Sequence, residues 1–252
     1  MPVNYLRNIS GKNRAHDFDL GLARYLIFVA GAVNAGGFLA VAQYTSHMSG
    51  IVASIADHWA DGNVTVALAG VGALLSFLGG AACTAILVNW GRRKSLNSVY
   101  AIPLLIESLL LLCFGVVGAN LTIHMGLFVS MTVMLLCFIM GLQNALITKI
   151  SKAEIRTTHV TGLVTDVGIE LGKLLYWNAA AYRQSSQAVR ADKNRIRIMV
   201  SLIALFFLGG ITGAMGFKYI GFSFTIPLAA LVLVLAVMPI IDDVRTRYIS
   251  RS

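Results

Sequence analysis

Charge is scarce in this chain. Only 12% of its 252 residues are Asp, Glu, Lys or Arg, whereas 57% are hydrophobic. A soluble domain of this size has too little interior for that much apolar surface, so the composition points to a membrane protein. Proline is scarce too, with 4 residues against 24 glycines. Abundant glycine on apolar segments suits helices that pack closely in lipid. The 3 cysteines, Cys83, Cys113 and Cys137, all lie inside apolar runs. They have no metal-ligand spacing and suggest no disulfide framework. A nucleophile elbow, a P-loop, a dinucleotide fingerprint and a zinc signature are all missing, so no catalytic residue, cofactor or metal site is predicted, and the expectation is that the chain is not an enzyme. The net charge of +9 invites a nucleic-acid partner. The basic residues, however, sit between apolar segments rather than on one basic domain, which argues against it. The first twenty residues are polar and include Asp17 and Asp19. They do not make a cleavable signal peptide, and the first apolar segment is expected to stay as an anchor.

Six segments have the length and apolarity to cross a bilayer, which takes about 20 helical residues. They lie near 21–43, 64–89, 99–118, 125–148, 198–217 and 222–241. With both termini in the cytoplasm, all but one of the 20 basic residues face that side, Lys218 being the exception. This satisfies the positive-inside rule. A full span at 50–60 or at 160–178 would send Arg92, Arg93 and Lys94, or the run from Arg183 to Arg197, to the outside. Those two segments are therefore expected to enter the membrane and return, or to lie on its surface.

Two motifs organise the chain. Arg156-Thr157-Thr158-His159-Val160-Thr161-Gly162 is a near copy of Tyr44-Thr45-Ser46-His47-Met48-Ser49-Gly50. Each follows an apolar segment carrying Gly-x-x-Asn-Ala, at Gly31 to Ala35 and at Gly141 to Ala145. Phe77-Leu78-Gly79-Gly80 recurs as Phe207-Leu208-Gly209-Gly210, and Ile102-Pro103-Leu104 as Ile226-Pro227-Leu228. Four words in the same order are hard to obtain by chance. Three spans per half is an odd number, so the second half is expected to be inverted, the plan of many secondary transporters. The predicted fold is an all-α membrane protein: six transmembrane helices in two inverted three-helix repeats, each with a short re-entrant or interfacial helix. The expected divisions are a cytoplasmic tail at 1–20, the first repeat at 21–118, the second at 124–241 and a second cytoplasmic tail at 242–252.

Segments 49–60 and 161–177 read as the short helices, with Ser49 and Thr161 as N-caps and Gly50 and Gly162 allowing a tight turn. Inward-pointing helix N-termini would offer free N–H groups and partial positive charge to a solute. The predicted substrate-binding residues are Asn34, Thr45, Ser46, His47, Ser49, Gly50, Asn144, Thr157, Thr158, His159, Thr161 and Gly162. The alternative is that these groups only satisfy broken backbone, or bond helix to helix. Glu107 lies well inside the third span, where an ionisable group is costly and marks function by default. It is predicted to be a proton-coupling carboxylate, kept neutral at rest by desolvation, the alternative being a Glu in the first half of the helix that snorkels or bonds Ser108. Asp166, Glu170 and Lys173 share one face of the second short helix. That face either lines a water-filled entrance, with Asp166 as a second coupling carboxylate, or is a solvated ion-pair face. Gly72, Ser76 and Gly80, like Gly209 and Gly213, read as packing surfaces between halves or between subunits.

The motif words Thr45 to Gly50, Gly141 to Ala145 and Arg156 to Gly162, the last followed by Leu163-Val164-Thr165-Asp166, resemble the YoaK-like family. These are small multi-pass bacterial membrane proteins named as a domain of unknown function. The resemblance runs from about residue 20 to 241. It departs from the family pattern at Ser49-Gly50-Ile51, where relatives have Thr-Gly-Asn, and at Asn34, where they often have Asp. It implies a bacterial inner-membrane location and no substrate. The expected function is a secondary transporter or permease for a small polar or anionic solute, with the alternative of a non-transport scaffold or regulatory protein. The expected partners are the lipid bilayer, a small-molecule or ion solute and a second copy of the chain in a homo-oligomer.

Overall fold

The computed structural model of the chain describes residues 16–120, 125–151, 160–176 and 189–249. Among them are eight α-helices and no strand. They are α1 (His16–Val41), α2 (Met48–Ala60), α3 (Val64–Arg93), α4 (Ala101–Ala119), α5 (Met125–Ile150), α6 (Val160–Leu175), α7 (Lys193–Ile220) and α8 (Thr225–Ile249). A 3-10 turn, Gly221–Phe224, separates α7 from α8. Five stretches are long and apolar enough to cross a membrane: Leu20–Val41, Val64–Arg93, Ala101–Ala119, Val129–Ile150 and Lys193–Arg245. The last has 53 residues, about 80 Å if it were one straight helix, far more than a bilayer core. Gly221, with φ of 69°, breaks it into α7 and α8. The chain is a membrane-like helical protein, compatible with a multi-pass arrangement. Its lipid-facing candidates are exposed apolar side chains such as Leu68, Leu75, Leu78 and Ile86 on α3.

Glycines fix the closest crossings. A Cβ at Gly209 would collide with the Phe28 carbonyl, and one at Gly213 with that of Ala32. A Cβ at Gly31 would in turn strike the carbonyl of Phe206. Helices α1 and α7 therefore touch backbone to backbone and run parallel. The α3–α5 pair is built alike. A Cβ at Gly80 would strike the Phe138 carbonyl, and one at Gly141 that of Phe77. One turn further on, Thr84 Oγ1 donates to the Leu142 carbonyl at 2.9 Å. The close points are Gly80 and Gly209, one residue out of the register given by aligning the two Phe-Leu-Gly-Gly words. Between the pairs the direction reverses. Gln143 Nε2 on α5 donates to the Leu26 carbonyl on α1 at 3.1 Å, and Gly37 meets Leu136, so α1 and α5 are antiparallel.

Helices α4 and α8 form an antiparallel pair. The Asp243 carboxylate accepts from the Asn97 and Ser98 backbone N–H groups at one end, and Thr225 packs on Gly115 at the other. One apolar core joins α1, α4, α5 and α8 through Leu26, Val33, Leu104, Leu111, Phe114, Met140, Leu146 and Val232, all fully buried.

The short helix α2 follows a reversal. Ala42, at φ of 53°, takes the left-handed conformation after α1 and donates its N–H to the Phe38 carbonyl. Phe38 stacks on Tyr44 with ring centroids 4.6 Å apart. Ser46 Oγ then reaches Asn34 Oδ1 at 2.9 Å. Twelve helical residues would rise about 18 Å, so the chain has doubled back alongside α1. A turn through Gly62, at φ of 74°, returns it to α3, and Ile51 and Ile55 of α2 pack on Ala73, Phe77 and Gly70 of α3.

Candidate functional site

A cleft of about 710 Å³ lies between α3 and α5 beside their crossing. Its volume is in the range of small-molecule sites. From α3 come Phe77, Ala81 and Ala85, each one turn from the last. From α5 come Gly141, Asn144, Ala145, Thr148 and Lys149. Ser46, His47, Met48 and Ser49 enter at the start of α2, and Thr161 at the start of α6. The two motifs and one Asn of the Gly-x-x-Asn-Ala words thus meet on a single cleft. Helix α2 has 13 residues, and its N-terminus opens here.

The remaining predicted residues stand elsewhere. Asn34 does not line the cleft and accepts from Ser46. Thr45 is fully buried, and its Oγ1 has no hydrogen-bond partner among the described residues. Gly50 lies under the His47 imidazole, which occupies the space a Cβ would take. Gly162 is half-buried in the first turn of α6. Thr157, Thr158 and His159 fall outside the described residues. The predicted caps are corrected. His47, not Ser49, is the N-cap of α2, and its side chain makes no capping bond. Thr161 is already inside α6, where its carbonyl accepts from Thr165 Oγ1 at 2.9 Å. Gly50 is also not the turning residue. The left-handed position is Ala42, because the reversal starts at the end of α1 and not at the start of α2.

Glu107 is fully buried in α4 and does not line the cleft. Neither carboxyl oxygen has a hydrogen-bond partner among the described residues. Asp166 is also off the cleft and holds Arg195 at 3.3 Å. Beside it Glu170, buried on the α7 side, accepts from Lys173 Nζ at 2.7 Å and from the Asp192 backbone N–H at 2.9 Å. These two bonds, with the nearby Arg195 charge, hold the Glu170 carboxyl below the usual glutamate range. Asp192 caps α7 by accepting from the Asn194 and Arg195 N–H groups. The charged face of α6 is thus an ionic clamp onto the start of α7. Among the described residues no group of three or more His, Cys, Asp or Glu is placed to hold a metal.

A family model described as "Protein of unknown function (DUF1275)" matches residues 22–238. The chain belongs to the DUF1275 family. No curated protein and no solved structure matches it. Every described cleft residue of this DUF1275 chain falls within the matched span. Two polar cleft residues escaped the sequence reading. Thr148, which donates to the Asn144 carbonyl at 2.7 Å, sits among apolar residues with no motif around it. Lys149 ends a span, where a lysine reads as a topology signal. Only its helical spacing from Asn144 and Ala145 hinted that it shares their face.

Proposed function

We propose that this DUF1275 protein is a secondary transporter or permease for a small polar or anionic solute in the bacterial inner membrane. In this reading both termini are cytoplasmic, and six spans, α1, α3, α4, α5, α7 and α8, form two inverted halves. The single observation that carries the transport reading is the cleft on which the starts of both short helices converge. The packing supports the inversion. Parallel pairs α1–α7 and α3–α5 are antiparallel to each other and have matching glycine crossings. Helices α2 and α6 begin at matching motif positions, Met48 and Val160, and α4 and α8 begin one residue before their Ile-Pro-Leu words. The doubled-back segment from Ala42 to His47 supports a re-entrant α2, since irregular backbone inside a membrane is tolerated where it lines a cavity. The YoaK-like resemblance is in keeping with this and adds no substrate. Of the two predicted coupling carboxylates Glu107 is the better placed, because Asp166 already holds Arg195.

The test is a thermal-shift screen of the purified protein in detergent against small anions, amino acids and amines, beside His47→Ala and Ser49→Ala variants. A ligand that raises the unfolding temperature of the parent and not of the variants supports a solute site here. No shift with any ligand, from a well-folded sample, supports the alternative of a non-transport scaffold. One observation favours that alternative: Val164, Ile169 and Leu174 of α6 are exposed, and a Cβ at Gly168 or Gly172 would meet nothing within 4 Å among the described residues.

A further inference from the structure

Among the described residues, charge lining the cleft is of one sign. Lys149 is the one Lys, Arg, Asp or Glu among its described lining residues. It is half-buried in the last turn of α5 and forms no ion pair among the described residues. Among the described residues, the acids of the neighbouring elements do not neutralise it. Asp57 and Asp61 lie at the far end of α2, roughly 15 to 20 Å along the helix from His47. On α6, Asp166 and Glu170 are taken by Arg195 and Lys173. A half-buried ammonium without a counter-ion favours an anion beside it. The start of α2 adds to this preference. Its first-turn N–H groups open on the same cleft, and the His47 side chain does not cap them. The opposite wall is apolar, built from Phe77, Ala81 and Ala85. A bare inorganic ion would leave that wall wet.

Resting on the solute-site reading above, we propose that the cleft takes an organic anion with one acidic head and an apolar body. The head lies toward Lys149 and the body along the α3 wall. Lys149 is then the residue that selects the sign of the charge. The same chemistry comes from two sources, a soluble carboxylate or the head and chain of an anionic lipid.

The experiment measures thermal shifts of the intact protein in a neutral detergent. One arm uses acetate, butyrate, hexanoate and benzoate, each beside its amide and its amine. A second adds phosphatidylglycerol, with phosphatidylcholine as control. Chloride and inorganic phosphate complete the set. Lys149→Gln and Lys149→Arg run in parallel, with size-exclusion profiles to confirm folding. The expected result is stabilisation by the longer carboxylates but not by their amides or amines. Lys149→Gln should weaken it at least tenfold in half-saturating concentration, and Lys149→Arg should restore it. If phosphatidylglycerol alone gives a Lys149-dependent shift, the anion is a lipid, and transport of a soluble solute loses its support. Equal shifts from amides or amines, or a full shift retained in Lys149→Gln, overturn the anion assignment and leave the solute site standing. No shift in any arm overturns both.

Discussion

At the scale of single residues, Glu107 shows how stability and function pull apart. Its carboxyl is fully buried, and neither oxygen has a partner among the described residues. An unsatisfied buried polar group costs about 1–3 kcal/mol. Leu231 holds the matching place after the second Ile-Pro-Leu word but is exposed there, so the expectation for Glu107 rests on its unsatisfied carboxyl alone. Glu107→Leu should therefore raise the unfolding temperature in detergent while abolishing any proton movement that accompanies solute uptake in liposomes. A fall in unfolding temperature would mean that the carboxyl holds a partner. Glu170 makes the opposite case. Its carboxyl is held below the ordinary value first by the Lys173 hydrogen bond, then by the Asp192 N–H, and Arg195 adds its charge. A depressed acid stabilises the folded state above its unfolded-state value, and the contribution is lost as pH falls through its folded value. Protease cleavage within α6 should rise as the pH is lowered below the usual glutamate range. Glu170→Gln should be cleaved faster at neutral pH and show little further acid response. The sequence made Glu107 visible because an acid well inside an apolar span is costly and stands out even beside the bland alternative of snorkelling or bonding Ser108. Lys149 stayed hidden because a lysine ending a span already reads as a topology signal.

At the scale of elements, the glycine crossings decide how close the helices come. Gly80 and Gly209 each face a carbonyl of the neighbouring helix, which cannot move aside as a flexible side chain can. Gly80→Ala and Gly209→Ala should each destabilise by about 1–3 kcal/mol through overpacking. Gly168→Ala and Gly172→Ala, where a Cβ meets nothing within 4 Å among the described residues, should be neutral or slightly stabilising through helix propensity. Unfolding temperatures of the four variants give the comparison, and equal losses at all four sites would contradict these crossings. The helices themselves were legible because apolar length and the ordered words mark them. The register of contact was not. Each Phe-Leu-Gly-Gly word offers two adjacent glycines, and α3 uses the second where α7 uses the first. The reversal before α2 was hidden for a similar reason. It rests on Ala42 in a left-handed conformation, and alanine carries no turn signal. Serine and glycine nearby drew attention to the wrong positions.

At the scale of the molecule, the halves proposed above hold their matching asparagines differently. Asn34 gives its side-chain oxygen to Ser46, whereas its counterpart Asn144 lines the cleft. In the proposed topology, with both termini cytoplasmic, the cleft lies toward the cytoplasmic side, near the end of α5 that carries Lys149. Toward the opposite end of the bundle Phe114, Phe217, Phe222 and Phe224 form a cluster with centroids 5.5 to 6.2 Å apart. Phe217 fills the space beside Gly36, and Phe222 the space beside Gly118. A transporter built of inverted halves exposes its site to each side by letting the halves exchange states. By the crossing register, Ala85 on the cleft corresponds to Ala214 on α7. A cysteine at Ala85 should then label readily from the cytoplasmic side and one at Ala214 slowly from the outside. A bulky residue on the cleft, such as Ala81→Trp, should trap the opposite state, slowing labelling at position 85 and speeding it at 214. Folding of the Trp variant is checked by its unfolding temperature, so that a lost bundle is not mistaken for a switched one. If position 214 stays closed in a folded variant that has closed position 85, the halves do not exchange. The inverted packing would then be a scaffold's architecture and not a transport cycle.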